Sequence, residues 1–221
     1  MKKITAILPM RAGSKRIKNK NIRLINNKLL YEYILNTLIK SKYIKKIIIN
    51  TDIQKNFFRK IKNSKIIYLE RKKSLRGNCN MNEVIFETIK NFDDEFYIQT
   101  HATNPLLNYK TIDNAISFYI KNKNKYDSIF SVTKIQKRFW KKDGIPINHN
   151  LSDDPTTQNL NPYYEENSSF YIFSRESFKN NNNRIGKRPF LYEISKIESW
   201  DIDEEEDFEI VKYIIENNSI N

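Results

Sequence analysis

The sequence predicts an α/β fold, a mostly parallel sheet with helices on both faces, and three observations carry that expectation. Short apolar, strand-like runs alternate with stretches of helical period. Polar and turn-forming residues gather just after those runs, at the strand ends where parallel sheets bind ligands. The alternation fails over one long stretch, from Thr133 to Ser169, where turn formers cluster at Asp143-Gly144, Pro146, Pro155 and Asn161-Pro162. That stretch reads as a long loop or an inserted hairpin arm. With 221 residues, 39% of them hydrophobic and 13% aromatic, the whole chain, 1–221, is expected to form one domain around a sizeable core.

Each element follows from local pattern. Residues 3–8 form an almost unbroken apolar run, the signature of a buried strand. Leu30, Ile34 and Leu38 recur at helical spacing and predict a helix over 29–42. Ile47-Ile48-Ile49 predicts a strand that ends in Asn50-Thr51-Asp52, and 66–69 a third strand ending in Glu70-Arg71. Val84, Ile85, Thr88 and Ile89 make the next helical stripe. A strand over 96–99, a helix over 111–121 and a strand over 128–132 come next. Strand pattern resumes at 170–173, and a last helix is expected over 205–217. The run Asn180 to Asn183 reads as an exposed loop tip.

The most informative segment is the connection that leaves the first strand. Pro9 closes the strand, and Arg11-Ala12-Gly13-Ser14-Lys15-Arg16 opens a basic loop that continues to Lys20-Asn21. A glycine lets backbone N–H groups approach a ligand, and the cations can neutralise a polyphosphate. The loop reads as a triphosphate cradle, with a plain basic surface loop as the alternative. No G-x-x-x-x-G-K-[ST] and no G-x-G-x-x-G occurs, which argues against P-loop and dinucleotide sites.

The net charge of +13 invites a nucleic-acid partner. The lysines, however, are spread along the whole chain, and the one concentrated stretch, 11–23, contains no aromatic residue. No nucleic-acid partner is therefore expected. Cys79 is the single cysteine, so neither a disulfide nor a thiolate metal cluster can form within the chain. No run of 18 apolar residues predicts a membrane span, and the expected location is cytoplasmic, without membrane contact.

Asp201 and Asp203 flank Ile202. In an extended segment both carboxylates point one way while Ile202 points into the core. Paired carboxylates suit Mg²⁺, with Mn²⁺ as a substitute, and two like charges side by side are costly without a cation. Glu204 to Asp207 read instead as the acidic first turn of a helix. His101 stands just past a strand end, where a lone histidine is more often structural than catalytic. Read from the residues alone, Tyr163, Tyr164 and Tyr171 are packing residues.

These pieces together resemble the acylneuraminate cytidylyltransferase family. The resemblance rests on Leu8-Pro9-Met10-Arg11-Ala12-Gly13-Ser14-Lys15 with Lys20-Asn21, on Thr51-Asp52, and on Arg71. It continues through Thr103-Asn104-Pro105-Leu106, the Asn167 to Tyr171 segment and Asp201-Ile202-Asp203, in order along nearly the whole chain. It implies a Rossmann-like nucleotidyltransferase fold that activates an acidic nine-carbon sugar with CTP, giving the CMP-sugar and pyrophosphate. By the same resemblance Arg11, Gly13, Ser14, Lys15, Asn21 and Arg71 would bind the nucleotide. Arg11, Lys20, Asp201 and Asp203 would be catalytic, the two aspartates carrying Mg²⁺. His101, Gln158, Asn167 and Tyr171 would face the sugar, and the 134–166 arm would reach across a homodimer.

The chain departs from sialic-acid-using members in two places. They show glutamine where His101 aligns, and arginines in the arm and before the asparagine. Here those stretches read Pro155-Thr156-Thr157-Gln158 and Tyr163-Tyr164-Glu165-Glu166. The sugar-side electrostatics are changed, so the sugar stays open. The competing readings are a sugar nucleotidyltransferase with another nucleotide or sugar, a catalytically silent relative, and a basic nucleic-acid-binding protein.

Overall fold

Alternating side chains along β1 (Ile4–Met10) divide the interior into two layers, and the rest of the fold is arranged around that division. The computed structural model describes every residue except Met1, Lys15, Arg59, Lys60, Asn78, Asp153, Asp154, Pro155 and 218–221. Ile4, Ala6, Leu8 and Met10 face the larger core cluster, packed under α1 (Leu30–Lys40) and α3 (Tyr109–Asn122). Ile7 faces the opposite layer, where α2 (Met81–Lys90) supplies Ile85 and Ile89. β6 (Phe96–Thr100) repeats the division, with Phe96 and Ile98 on one side and Tyr97 on the other. A strand buried on both faces must be apolar at nearly every position, which is why 3–8 carries no polar alternation.

Seven strands form the sheet. β4 (Ile44–Thr51) and β5 (Ile66–Glu70) lie on one side of β1, and β6 lies on the other, all parallel. β8 (Tyr163–Ser174) then runs antiparallel to both β6 and β7 (Ser128–Ile135). β9 (Pro189–Glu193) closes the edge, parallel to β7. Between β8 and β9 runs the short helix α4 (Arg175–Asn181), whose Phe178 joins the second layer. β9 escapes the sequence pattern because it opens on a proline, which an edge strand tolerates at its first residue.

A two-stranded hairpin, β2 (Leu24–Ile25) and β3 (Lys28–Leu29), is likewise too short to show in the sequence pattern. Its turn residues Asn26 and Asn27 both take positive φ, 45° and 61°, as a two-residue hairpin loop requires. The hairpin matters because Ile25 packs with Ile17, Leu30, Leu106, Ile202, Phe208 and Val211 in a third buried cluster. Phe208 and Val211 come from the last helix, α5 (Glu205–Asn217). This cluster clamps the opening basic loop to the Asp201–Asp203 segment.

Three local expectations are corrected. The strands flanking the irregular stretch are longer than their sequence pattern, so Lys134, Ile135 and Tyr163 to Glu166 belong to β7 and β8 and the irregular part is 136–162. Within it, Phe139 and Ile147 share a main-chain hydrogen bond of 2.8 Å, as do Lys141 and Ile145, forming a small hairpin. Tyr163 and Tyr164 are each 45% exposed rather than packed. Asp201-Ile202-Asp203 is not a sheet strand; it is tied to the fold by one main-chain bond, Ile202 N–H to the Thr103 carbonyl at 2.9 Å.

Candidate active site

The carboxyl ends of β1, β4, β5 and β6 bring the basic loop, Asp52, Arg71 and His101 to one edge of the sheet. Gly13 takes φ +74°, a left-handed conformation that a side chain disfavours, and open space surrounds the position a Cβ would occupy. The turn is pinned from two sides. Asp52 Oδ1 accepts from Ala12 N–H at 2.7 Å, and Asn21 Nδ2 donates to the Arg11 carbonyl at 3.1 Å. Arg11 Nη1 donates to the Gly77 carbonyl at 3.1 Å, joining the loop after β1 to the loop after β5. A cavity of about 340 Å³ opens here, lined by Arg11, Gly13, Asn21, Asp52, Gln54 and Phe57. Ser14 is partly exposed on the same turn. Lys15 lies outside the described residues.

Arg71 is only 3% exposed. Its Nε donates to Asn50 Oδ1 at 2.9 Å and its Nη2 to the Asn50 carbonyl at 3.1 Å. Burial pulls its guanidinium below its ordinary pKa, and the Asp52 carboxylate opposes this. Its side chain thus braces the end of β4.

Across the site, Asp203 receives two cations of the opening loop. Arg16 Nη2 lies 2.7 Å from Asp203 Oδ1, and Lys20 Nζ lies 3.3 Å from the same oxygen. Lys20, 9% exposed, also donates to the Ile202 carbonyl. Asp201 has a different environment. Burial, with the Asp203 charge adding, raises its carboxyl above the usual range against hydrogen bonding from Thr103. Its Oδ1 is buried and has no partner among the described residues. Asp207 shapes the segment. Its Oδ2 accepts from Asp203 N–H at 3.0 Å and Glu204 N–H at 2.9 Å, and its Oδ1 from Trp200 Nε1 at 3.2 Å. Burial would raise the Asp207 carboxyl, but these hydrogen bonds outweigh it and hold it below its ordinary value.

Asp201 and Asp203 line a second cavity, about 540 Å³, together with Lys137, Glu166, Asn167 and Lys196. Asn167 enters it because β8 bulges. The register against β7 shifts between Phe130 and Val132, and Ser168 takes φ +59°. Such bulges re-aim side chains beside functional sites. Asn167 Nδ2 donates to Thr133 Oγ1 at 2.9 Å. Tyr171 is fully buried, and its hydroxyl donates to Glu166 Oε1. His101 keeps a buried Nε2 without a partner among the described residues. Burial first, then Arg184 and Lys20, lowers its pKa to about 3, so the imidazole is neutral at pH 7. Gln158 is exposed in the irregular stretch and does not line either cavity.

A cavity of about 820 Å³ lies elsewhere, where β6 begins and β8 ends, lined by Asp94, Phe96, Tyr119 and Ser174 among others. It sits at the amino ends of the parallel strands and contains none of the motif residues. In an open parallel sheet the chemistry belongs to the opposite edge.

Residues 5–220 match the family described as Cytidylyltransferase. The chain belongs to the cytidylyltransferase family. It is a nucleotidyltransferase by that membership. It is 26% identical to post-translational flagellin modification protein B of Campylobacter coli, over 100% of this chain and 98% of that protein. Among solved structures it resembles CMP:2-keto-3-deoxy-manno-octonic acid synthetase complexed with CTP, with TM-score 0.71, 14% identity, and 97% and 98% of the two chains covered. A cytidylyltransferase from Leptospira borgpetersenii is similar at TM-score 0.64 and 15% identity, covering 99% of this chain and 88% of that one. At such identities the structures establish the nucleotidyltransferase fold. No helix among the described residues of this cytidylyltransferase is long and apolar enough to cross a membrane.

Several residues of the site carry no distinguishing sequence signal. Asp207 lies inside an acidic run that reads as an ordinary helix start. Lys137, Lys196 and Arg184 lie among scattered lysines and arginines, where no local signal separates a site cation from a surface one. Lys137 has one usable clue: it stands two positions past Ile135, the end of β7, in step with Thr133 and Ile135, and all three line the second cavity.

Proposed function

We propose that this cytidylyltransferase joins CTP to an acidic nonulosonic sugar, releasing pyrophosphate. The observation that carries the reading is the bridge between two cavities. Arg16 and Lys20, on the loop that walls the first, hold Asp203, which walls the second. CTP occupies the first, with Arg11, Ser14, Lys15 and the main-chain N–H groups around Gly13 meeting the triphosphate. Asn21 and Arg71 support the nucleoside side. The sugar occupies the second, against Asn167; Tyr171 and His101 do not line that cavity. The name of the solved octonic acid synthetase, complexed with CTP, supports an acid-sugar substrate.

The anomeric hydroxyl oxygen of the sugar attacks the α-phosphorus. A new P–O bond forms, the α–β bridging P–O bond breaks, pyrophosphate leaves with the electron pair, and the hydroxyl proton passes to solvent. Little covalent work falls to the protein, so positioning and charge stabilisation dominate. Lys20, buried at the junction, meets charge that develops as the phosphate is transferred. The unpartnered Asp201 oxygen beside a second carboxylate fits a divalent cation. Among the described residues no three metal-ligating side chains cluster, which suits Mg²⁺, an ion usually held by one or two carboxylates and by substrate phosphates. Asp201 and Asp203 would hold it, and it would supply Lewis-acid stabilisation of the phosphoryl oxygens.

The chain acts as one domain, with the 136–162 stretch serving a two-fold pair. The deciding experiment is pyrophosphate release with CTP, UTP, ATP or GTP against a panel of acid sugars. Release is expected with CTP and at least one nonulosonic acid. Equal release with all four nucleotides, or none with any acid sugar, would remove the reading.

A further inference from the structure

Arg184 is a half-buried cation outside every sequence motif, yet it contacts three elements, and through one of them it connects to the lining of the second cavity. Its guanidinium lies 3.6 Å above the Tyr171 ring. Its Nη1 donates to Gln99 Oε1 at 2.6 Å, at the end of β6, and its main-chain N–H donates to Asn82 Oδ1 at 3.3 Å, in α2. Tyr171 passes the constraint outward, since its hydroxyl donates to Glu166 Oε1 and lies 3.2 Å from Ser168 Oγ. Glu166 itself is exposed and lines the second cavity.

We propose that Arg184 is a positioning residue that, through Tyr171, fixes Glu166 as the acceptor for a hydrogen-bond-donating substituent of the sugar. The proposal rests on the second cavity being the sugar site. A stacked arginine on a buried ring leaves the tyrosine little rotational freedom. The phenolic proton is then committed to one Glu166 oxygen, and the other remains free to face the cavity. A carboxylate accepts only, so it selects a hydroxyl, amide N–H or ammonium and repels an anion. The acid group of the sugar is thereby turned away from Glu166, toward the Lys137 and Lys196 that line the same cavity.

The test is steady-state kinetics on the full chain, separating KM for the sugar from KM for CTP. Glu166→Gln, Tyr171→Phe and Arg184→Gln are each expected to raise sugar KM on the order of tenfold, the effect of one lost charge-assisted hydrogen bond. CTP KM should stay within about twofold, because the chain of contacts runs away from the nucleotide cavity. Tyr171→Phe with Glu166→Gln together should be no worse than Glu166→Gln alone, since both break one link. If Arg184→Gln fails to fold, Tyr171→Phe, which removes a single hydroxyl, still decides. An unchanged sugar KM in Tyr171→Phe, additive penalties, or an equal rise in CTP KM would overturn the proposal. A wild-type chain that releases no pyrophosphate with any acid sugar would instead overturn the assignment of the cavity, before any variant is compared.

Discussion

The Lys20 ammonium lies 3.3 Å from Asp203 Oδ1, although 183 positions of sequence separate them. Asp203 is thus neutralised by the loop, whereas Asp201 is buried with an oxygen that no described residue satisfies. The two aspartates should respond differently to loss of charge. Both Asp203→Asn and Asp201→Asn are expected to lower turnover by roughly 10²-fold or more, the scale for removing one preorganised electrostatic element. In EDTA, however, Asp201→Asn should melt higher than wild type by a few degrees, since a buried uncompensated charge has gone, on the scale of about 2–4 °C per kcal/mol for a chain of this size. Asp203→Asn should melt lower, because Arg16 and Lys20 lose their partner. Calorimetry of both variants with and without Mg²⁺ checks this, and equal shifts would contradict the asymmetry.

Gly13 offers a separate handle on the nucleotide side. A Cβ there meets nothing within 4 Å, so Gly13→Ala introduces backbone strain at φ +74° without a clash. The strain is about 1–2 kcal/mol. The expected outcome is a modest loss of stability with a clear rise in CTP KM, while sugar KM is nearly unmoved. Isothermal titration with CTP alone would read the change directly, and unchanged affinity would place the triphosphate elsewhere.

The third buried cluster predicts that stability and activity are coupled through Ile202. That side chain is fully buried among Ile17, Ile25 and Phe208, and its flanking residues carry both carboxylates. Ile202→Ala should cost about 2–5 kcal/mol, as for other buried aliphatic truncations. Asp207→Ala should cost less, about 0.5–2 kcal/mol, the range for losing a side-chain acceptor at a helix start. Yet it frees the Asp203 and Glu204 N–H groups, so kcat should fall well beyond what stability explains. Urea melts paired with kinetics separate the two, and full turnover in Asp207→Ala would show that the segment holds its shape without it.

The strand–helix alternation makes the central sheet legible, because buried parallel strands and amphipathic helices write distinct periods into sequence. β9 is hidden by its opening proline, and α4 and the 24–29 hairpin are too short to show a period. Within the site, the basic loop and the two aspartates are visible because their residue types are unusual at strand ends. What joins them is not visible. Ile17, Ile25, Ile202 and Phe208 look like any apolar residues until tertiary packing places them together. Arg184 and Lys196 give no signal for the same reason in reverse: a chain with 39 lysines and arginines offers too many cations to choose from.

The irregular stretch exposes Trp140, Ile145, Ile147 and Leu151, between 48% and 64% each, and the adjoining Tyr163 and Tyr164. Large apolar side chains exposed together on one stretch are usually covered by a partner. A two-fold pair built on these side chains is the expected state, as it is the commonest homo-oligomer. Light scattering should give twice the monomer mass at micromolar concentration, and Trp140→Glu with Ile147→Glu should halve it. A fully active wild-type monomer would remove the pair.

His101 supplies the pH test. Its pKa is lowered to about 3 by burial, then by Arg184 and Lys20, with Asp203 alone pulling upward. In the unfolded chain the same imidazole titrates near its ordinary value, about 6.5. Between those limits the unfolded state binds the proton and the folded state does not, so stability rises with pH across the window. The contribution is fully present above pH 6.5 and is lost as pH falls toward 3, by up to about 1.4 kcal/mol per pH unit. His101→Gln removes the titrating group and keeps a polar side chain. The wild type should therefore lose more stability than the variant between pH 7.5 and 5 in urea melts. The imidazole C–H resonance of His101 should stay flat from pH 8 to 5, and a midpoint near 6.5 would mean that the ring is open to water and carries a charge in the working enzyme.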